Sequence, residues 1–196
     1  MYLTIIENKG IIIERRVSMN YYTADLHLGH ANIIKHCGRP FKDIEEMDRV
    51  LIGNYNSVVT DKDDVFIVGD IAFRGGKNEI ISKIRQLKGR KHLVIGNHDG
   101  WLLKDDEFRK LFVTIDLRAT ISDNGRKVVL HHYPMVEWDG FFRGAYHVYG
   151  HIHNGSPQAA AIMKTIPNAF NAGVDLNEFM PQTLEGLIKH KGQGIY

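Results

Sequence analysis

The sequence predicts an α/β fold with parallel strands. Three observations predict it. Short apolar runs rich in β-formers recur at Val65-Phe66-Ile67-Val68, Leu93-Val94-Ile95 and Val128-Val129-Leu130, each about the length of a buried strand. Between the first two, Ile80, Ile81, Ile84 and Leu87 follow the spacing of one helical face, and Gly89 stands where a helix would stop. Strand, helix, strand in that order is a βαβ unit, whose strands run parallel.

The remaining elements follow along the chain. Residues 1–18 mix isoleucine with charge and give no clear pattern, so they read as an N-terminal extension of doubtful role before one domain over 19–196. Met19 is an alternative start, because Glu14-Arg15-Arg16 can be written in codons that resemble a ribosome-binding site. Met19 to Ala24 opens a strand-like run. Met47, Val50, Leu51, Asn54, Tyr55 and Val58 define a helix near 44–58, with Asp43 and Glu46 placed as a capping box. The last third reads as richer in strands, at 146–149 and 169–174, before a helix that starts at Thr183 with Glu185 in its first turn.

Composition excludes several classes. With 196 residues and 43% hydrophobic content the chain is long and apolar enough for a packed core. A net charge of +2, from 25 basic and 23 acidic residues, gives no basic excess for an obligate nucleic-acid partner. No apolar run approaches the ~18 residues of a membrane span, and charges break the N-terminus before a signal-peptide core forms. One cysteine, Cys37, excludes an internal disulfide and suits a reducing compartment, so a cytoplasmic location is expected.

The 11 histidines carry the functional signal. Five clusters each sit beside a predicted strand: Asp25-Leu26-His27, Gly69-Asp70, Gly96-Asn97-His98-Asp99, His131-His132 and Gly150-His151-Ile152-His153. Polar residues just past the ends of buried strands converge on the edge where open α/β sheets bind ligands. Carboxylates, an amide oxygen and imidazoles form a mixed oxygen and nitrogen set that suits Mn²⁺, Fe²⁺ or Zn²⁺ better than Ca²⁺. Asp-x-His and His-x-His put two donors on one side of an extended chain. Seven candidate donors exceed one tetrahedral zinc and divide between two metals that share a carboxylate. Such pairs activate water and stabilise phosphoryl displacement. His131 and His132 point to opposite faces of a strand, so only one can reach the metals.

The five clusters, in this order over residues 25–153, resemble those of the calcineurin-like metallophosphoesterases, and the stretch from Asp25 to Phe41 resembles their small bacterial and phage members. The resemblance implies a four-layer αββα sandwich of two mixed β-sheets flanked by helices. It implies that Asp25, His27 and His153 hold one metal, that Asn97, His132 and His151 hold the other, and that Asp70 bridges them. His132 is preferred to His131 because His132-Tyr133-Pro134 matches the family pattern. It implies a metal-bridging hydroxide as nucleophile in line with the leaving oxygen, His98 as general acid and Asp99 as its orienting partner. The implied cofactors are two divalent ions, Mn²⁺ first and Fe, Zn or Ni as alternatives. The implied partner is a phosphate-ester substrate, mono- or diester, with a nucleotide as one candidate.

Departures and alternatives stand beside this. Phe73 occupies the place of the second acid in the Gly-Asp-x-x-Asp-Arg-Gly run of protein phosphatases, which argues against that activity. Arg74 matches the run and can grip phosphate by two bonds, or can be a plain surface arginine. His30 is a candidate substrate contact, His36 reads as surface, and Asn32 reads equally as a site residue or a helix start. Tyr133, Trp138, Phe141 and Phe142 form either an aromatic wall or ordinary packing. Lys83, Arg85, Lys88, Arg90 and Lys91 read as a solvated helix face rather than a nucleic-acid groove. A nuclease and a non-catalytic scaffold are the alternative functions; scaffolds of this kind lose donors, and this chain keeps all of them.

Overall fold

The computed structural model describes residues 2–6, 12–16, 18–73, 75–155 and 157–194. It opens with an antiparallel hairpin of β1 (Tyr2–Ile6) and β2 (Ile12–Arg16). The first four-stranded sheet is wholly parallel, in the order β3 (Asn20–Thr23), β4 (Asp64–Val68), β5 (Arg90–Val94), β6 (Thr114–Asp116). The connections between its strands carry α1 (Ala31–Cys37), α2 (Ile44–Val58), α3 (Lys77–Arg85) and α4 (Asp106–Arg109). The second sheet is mixed. An antiparallel hairpin of β7 (Arg118–Asp123) and β8 (Arg126–His131) continues in parallel through β9 (Tyr146–Tyr149) to β10 (Ala169–Asn171). Helices α5 (Pro157–Thr165) and α6 (Leu184–Gly192) flank β10.

The period-2 alternation of the strands builds the layers. Tyr21, Val65, Ile67 and Leu93 point toward the helices and pack with Ile33, Met47, Leu51, Tyr55, Ile80 and Ile84. Their neighbours Tyr22, Phe66, Val68 and Val94 point the other way and meet Val128, Leu130, Val148 and Phe170 of the second sheet. On the far face of that sheet Val129, Tyr149 and Ala169 pack with Trp138 and with Met163 of α5. The result is helix, sheet, sheet, helix.

Most local expectations have their counterpart, with three adjustments. Helix α2 spans Ile44–Val58, and the Asp43 carboxylate accepts the Glu46 amide at 2.8 Å, but Glu46 returns the bond to the amide of Lys42 rather than of Asp43. Helix α3 starts at Lys77 and ends at Arg85, so Leu87 packs from the following turn and Gly89 serves the entry to β5 instead of the helix stop. The last third holds more helix than strand. Pro157 at the first position of α5, followed by Ala159, Ala160 and Ala161, is the helix signal there. No described helix is long and apolar enough to cross a membrane.

Candidate metal centre

The C-terminal ends of β3, β4 and β5, the end of β8 and the turn after β9 deliver the five clusters to one rim. The donors lie within two tight groups. Donor atoms of Asp25, His27 and His153 all fall within 4.8 Å of one another, and so do those of Asp70, His132 and His151. The Asp70 Oδ2 lies between the groups, 3.6 Å from His27 Nε2 and 3.4 Å from His132 Nε2. The Asn97 Oδ1 lies 3.0 Å from both His132 Nε2 and His151 Nδ1. Among the described residues the structure therefore brings together all seven candidate donors.

The His132 Nδ1–H donates to the Val68 carbonyl at 2.9 Å, which directs Nε2 toward Asn97 and Asp70. The His153 Nδ1 meets the Asp175 carboxylate at 2.7 Å. His27 Nε2 is buried and has no hydrogen-bond partner. An orphaned imidazole nitrogen, a carboxylate oxygen and an amide oxygen converging on one space is an arrangement that fits divalent cations. His131 instead turns its Nδ1 to the Tyr133 carbonyl.

Burial sets the electrostatics. Asp25 is fully buried, which pushes its carboxyl up to about 6 against the pull of His153 and His132. Burial also presses Asp70 upward, but the His132 bond and charge, the His98 amide and His27 outweigh it and hold Asp70 down at about 2. Burial lowers His27 to about 2, so that imidazole is neutral and ready to ligate. At His153 burial is outweighed by Asp175, Cys37 and Asp25, and its pKa rises to about 10.

The backbone reasoning needs correction. Asp25 and His27 do not lie in an extended chain. Asp25, His27, Asp70, His151 and His153 all adopt left-handed backbone, with φ of 57°, 51°, 53°, 73° and 46°. The donors converge through strained turns after the strands, not through strand alternation. The glycines of the motifs make room for this. A Cβ on Gly69 would stand 2.2 Å from the His132 ring, and one on Gly96 2.3 Å from Asp70 Oδ1.

Asp99 is a second correction. Its two oxygens accept the amides of Gly96, Asp70 and Ile71 at 2.7–3.0 Å, so it clamps the β4 and β5 loops together instead of orienting the His98 ring. Burial raises its carboxyl to about 6 despite those bonds. The His98 ring lies edge-on to Phe73 and His27, at centroid distances of 4.8 and 5.4 Å.

Two site residues escaped the sequence reading. Arg39 is buried, and its guanidinium donates to the carbonyls of Asp25 and Leu26 at 2.7 and 3.0 Å and to both oxygens of Asp175. Asp175 in turn holds His153. One arginine thus fixes the Asp25 turn and, through one carboxylate, a donor imidazole. The position of Asp175 just past β10, on the same rim, was the available signal.

A cavity of about 590 Å³ is lined by the donors His27, His151 and His153, by His98, and by Asn32, His36, Cys37 and Asn154. His30 stacks on Phe73 at 3.9 Å beside it. Tyr133 stands 4.4 Å from the His151 ring, whereas Trp138 and Phe141 pack in the core behind β8 and β9 and Phe142 is exposed. Arg74 lies outside the described residues. The basic cluster is largely neutralised: Lys83 pairs with Asp48 and Glu79, Arg85 with Glu107, and Arg90 with Asp64.

The uncharacterized protein MJ1445 of Methanocaldococcus jannaschii is 32% identical to this chain over 170 residues, which cover 86% of this chain and 89% of that protein. The chain belongs to the MJ1445 family. The Gene 66 protein of Mycobacterium phage L5 is 38% identical over 86 residues, which span 43% of this chain and 41% of that protein. Among solved structures, the protein of unknown function AQ665 from Aquifex aeolicus superposes with a TM-score of 0.69 at 27% identity, over 88% of this chain and 99% of that one. YfcE, a phosphoesterase from E. coli, matches at 12% identity and a TM-score of 0.35 over 79% of this chain and 77% of that one. No family model matches the chain.

Two measurements test this site of the MJ1445-family chain. Replacing His132 by alanine is expected to lower Mn²⁺ stoichiometry or affinity in titration calorimetry by ~10-fold or more, while His131→Ala leaves both unchanged. The reverse ranking would exchange their roles. Because a cation must displace protons from His153 and from Asp25, whose carboxyl titrates near 6, binding releases protons. Affinity is therefore expected to rise as pH rises from 5 to about 8, with heats that depend on the buffer's ionisation enthalpy.

Proposed function

We propose that this chain is a metal-dependent phosphoesterase that hydrolyses a phosphate ester, mono- or diester. The observation that carries the reading is Asp70, whose single carboxylate oxygen stands between His27 and His132 of the two donor groups. In this reading Asp25, His27 and His153 hold one divalent cation, Asn97, His132 and His151 hold a second, and Asp70 is shared. Mn²⁺ is the preferred ion for this mixed donor set, with Fe, Zn or Ni as alternatives. When bound, such a pair supplies Lewis acidity toward a phosphoryl oxygen and an activated water for in-line displacement.

The chain's own residues supply the rest. His98 projects into the cavity over the donors and is placed to give a proton to the leaving oxygen. Its backbone amide is fixed by Asp70 Oδ1 at 2.9 Å, which ties the position of the acid to the shared carboxylate. Asp99 serves as a positioning residue through the loops it clamps. His30, stacked on Phe73, forms the cavity floor against which the substrate's organic group rests. Arg74 follows Phe73 and is proposed as a contact to the substrate phosphate.

The test is hydrolysis of bis-p-nitrophenyl phosphate and p-nitrophenyl phosphate by protein stripped with a chelator and then reloaded with Mn²⁺. Activity is expected only after reloading, and Asp70→Asn is expected to abolish it together with one equivalent of metal. Turnover that survives complete stripping would overturn the proposal. His98→Asn is expected to slow esters of poor leaving groups by ~10²-fold or more, and activated nitrophenyl esters far less, because a good leaving group needs little protonation. Equal losses on both would remove the acid role.

A further inference from the structure

The two lateral edges of the sandwich are treated differently. On one side the edge strands β3 and β10 are closed over. Helix α6 packs on both, Tyr22 exchanges backbone bonds with Gln182, and Ala24 pairs with Gly173. On the other side the edges are β6 of the first sheet and β7 of the second, and they are one stretch of chain with only Leu117 between them.

That stretch alternates strictly. Val113, Ile115, Leu117, Ala119 and Ile121 are apolar, and Thr114, Asp116, Arg118, Thr120 and Ser122 are polar. Ile115, Ala119 and Ile121 pack partly against the cores, but Val113 and Leu117 remain 61% and 72% exposed. The segment contains no proline, glycine or lysine, and its two charges, Asp116 and Arg118, are of opposite sign.

The segment also complements itself. Run antiparallel to a copy of itself with Leu117 opposite Leu117, it places Asp116 opposite Arg118, Ile115 opposite Ala119, Thr114 opposite Thr120 and Val113 opposite Ile121. Each apolar side chain meets an apolar one and each acid meets a base, twice over. A two-fold axis through Leu117 reverses the strand and exchanges the sheet layers, and Leu117 is where the chain passes from the first sheet to the second. The same axis therefore sets β6 of one copy beside β7 of the other on both sides of the interface, and an isologous contact of this kind closes.

We propose that a second copy of this chain docks on residues 113–121, so that each sheet continues into the opposite sheet of its partner. Asp116 and Arg118 set the register and Leu117 lies on the axis. Both charges are exposed. Asp139, which feels the charge of Arg118, already pairs with Lys127 and Arg143.

Sedimentation velocity and light scattering on the full chain test this, with circular dichroism to verify folding. The wild type is expected to be a dimer. Asp116→Arg and Arg118→Asp, each placing like charges opposite one another twice, are expected to weaken self-association about ten-fold or more. An equimolar mixture of these two variants is expected to recover a heterodimer, and the double exchange Asp116→Arg with Arg118→Asp a homodimer. A wild-type monomer, a dimer indifferent to the single reversals, or reversals that neither mixing nor the double exchange rescues would each overturn the proposal.

Discussion

The crowding of donor atoms at one rim governs this structure. Asp25, His27, Asp70, Asn97, His132, His151 and His153 present nitrogen and oxygen donors to a common space, and the Nδ1 atoms of His132 and His153 are fixed by Val68 and Asp175. Asp25, His27, Asp70 and His132 are buried, and their polar atoms lack the solvation they had in water. Asp25 shows the consequence in its raised carboxyl, and His27 in its unpartnered nitrogen. Only positive charge relieves such a cluster, and the donor chemistry selects a divalent cation of intermediate softness.

Holding the cluster together takes backbone strain. Left-handed φ at five donors costs roughly 1–3 kcal/mol at each, less for aspartate than for histidine. The surrounding structure over-determines those turns. Arg39 grips two carbonyls of the Asp25 turn, Asp99 collects three amides from the β4 and β5 loops, and Asp25 accepts the His151 amide with both oxygens. The hydrogen bonds that stabilise the loops therefore also aim the donors, so loop stability and site geometry are not separable here.

That the seven candidate donors meet was legible in the sequence because each follows a recognisable strand and glycine marks three of the turns. In the fold Tyr21 and Tyr22, and Val65 and Phe66, sort to opposite faces of their strands by parity. What was not legible depends on distance in the chain. Arg39 and Asp175 are 136 residues apart and meet only in the fold. The resemblance made Asp99 the orienting partner of its neighbour His98, yet its carboxylate points back toward Asp70 and Ile71. Adjacency predicts proximity of backbones, not of side-chain tips. The extended-chain argument for Asp25 and His27 reached the right convergence by the wrong geometry, because period-2 reasoning stops where the strand stops.

Arg39 shows how one buried charge can be tolerated and used. A guanidinium out of water is costly unless its donors are matched. Here the bonds to the carbonyls of Asp25 and Leu26 and to both Asp175 oxygens engage it, and Asp175 carries the compensating charge. Asp175 alone beside His153 would hold that imidazole, but would also add a third carboxylate near Asp25 and Asp70. With Arg39 present the pair is neutral, so the carboxylate can orient His153 without adding net negative charge beside a cluster whose own aspartates are already close. The arginine is therefore needed less for its attraction to Asp175 than for allowing Asp175 to stand there at all.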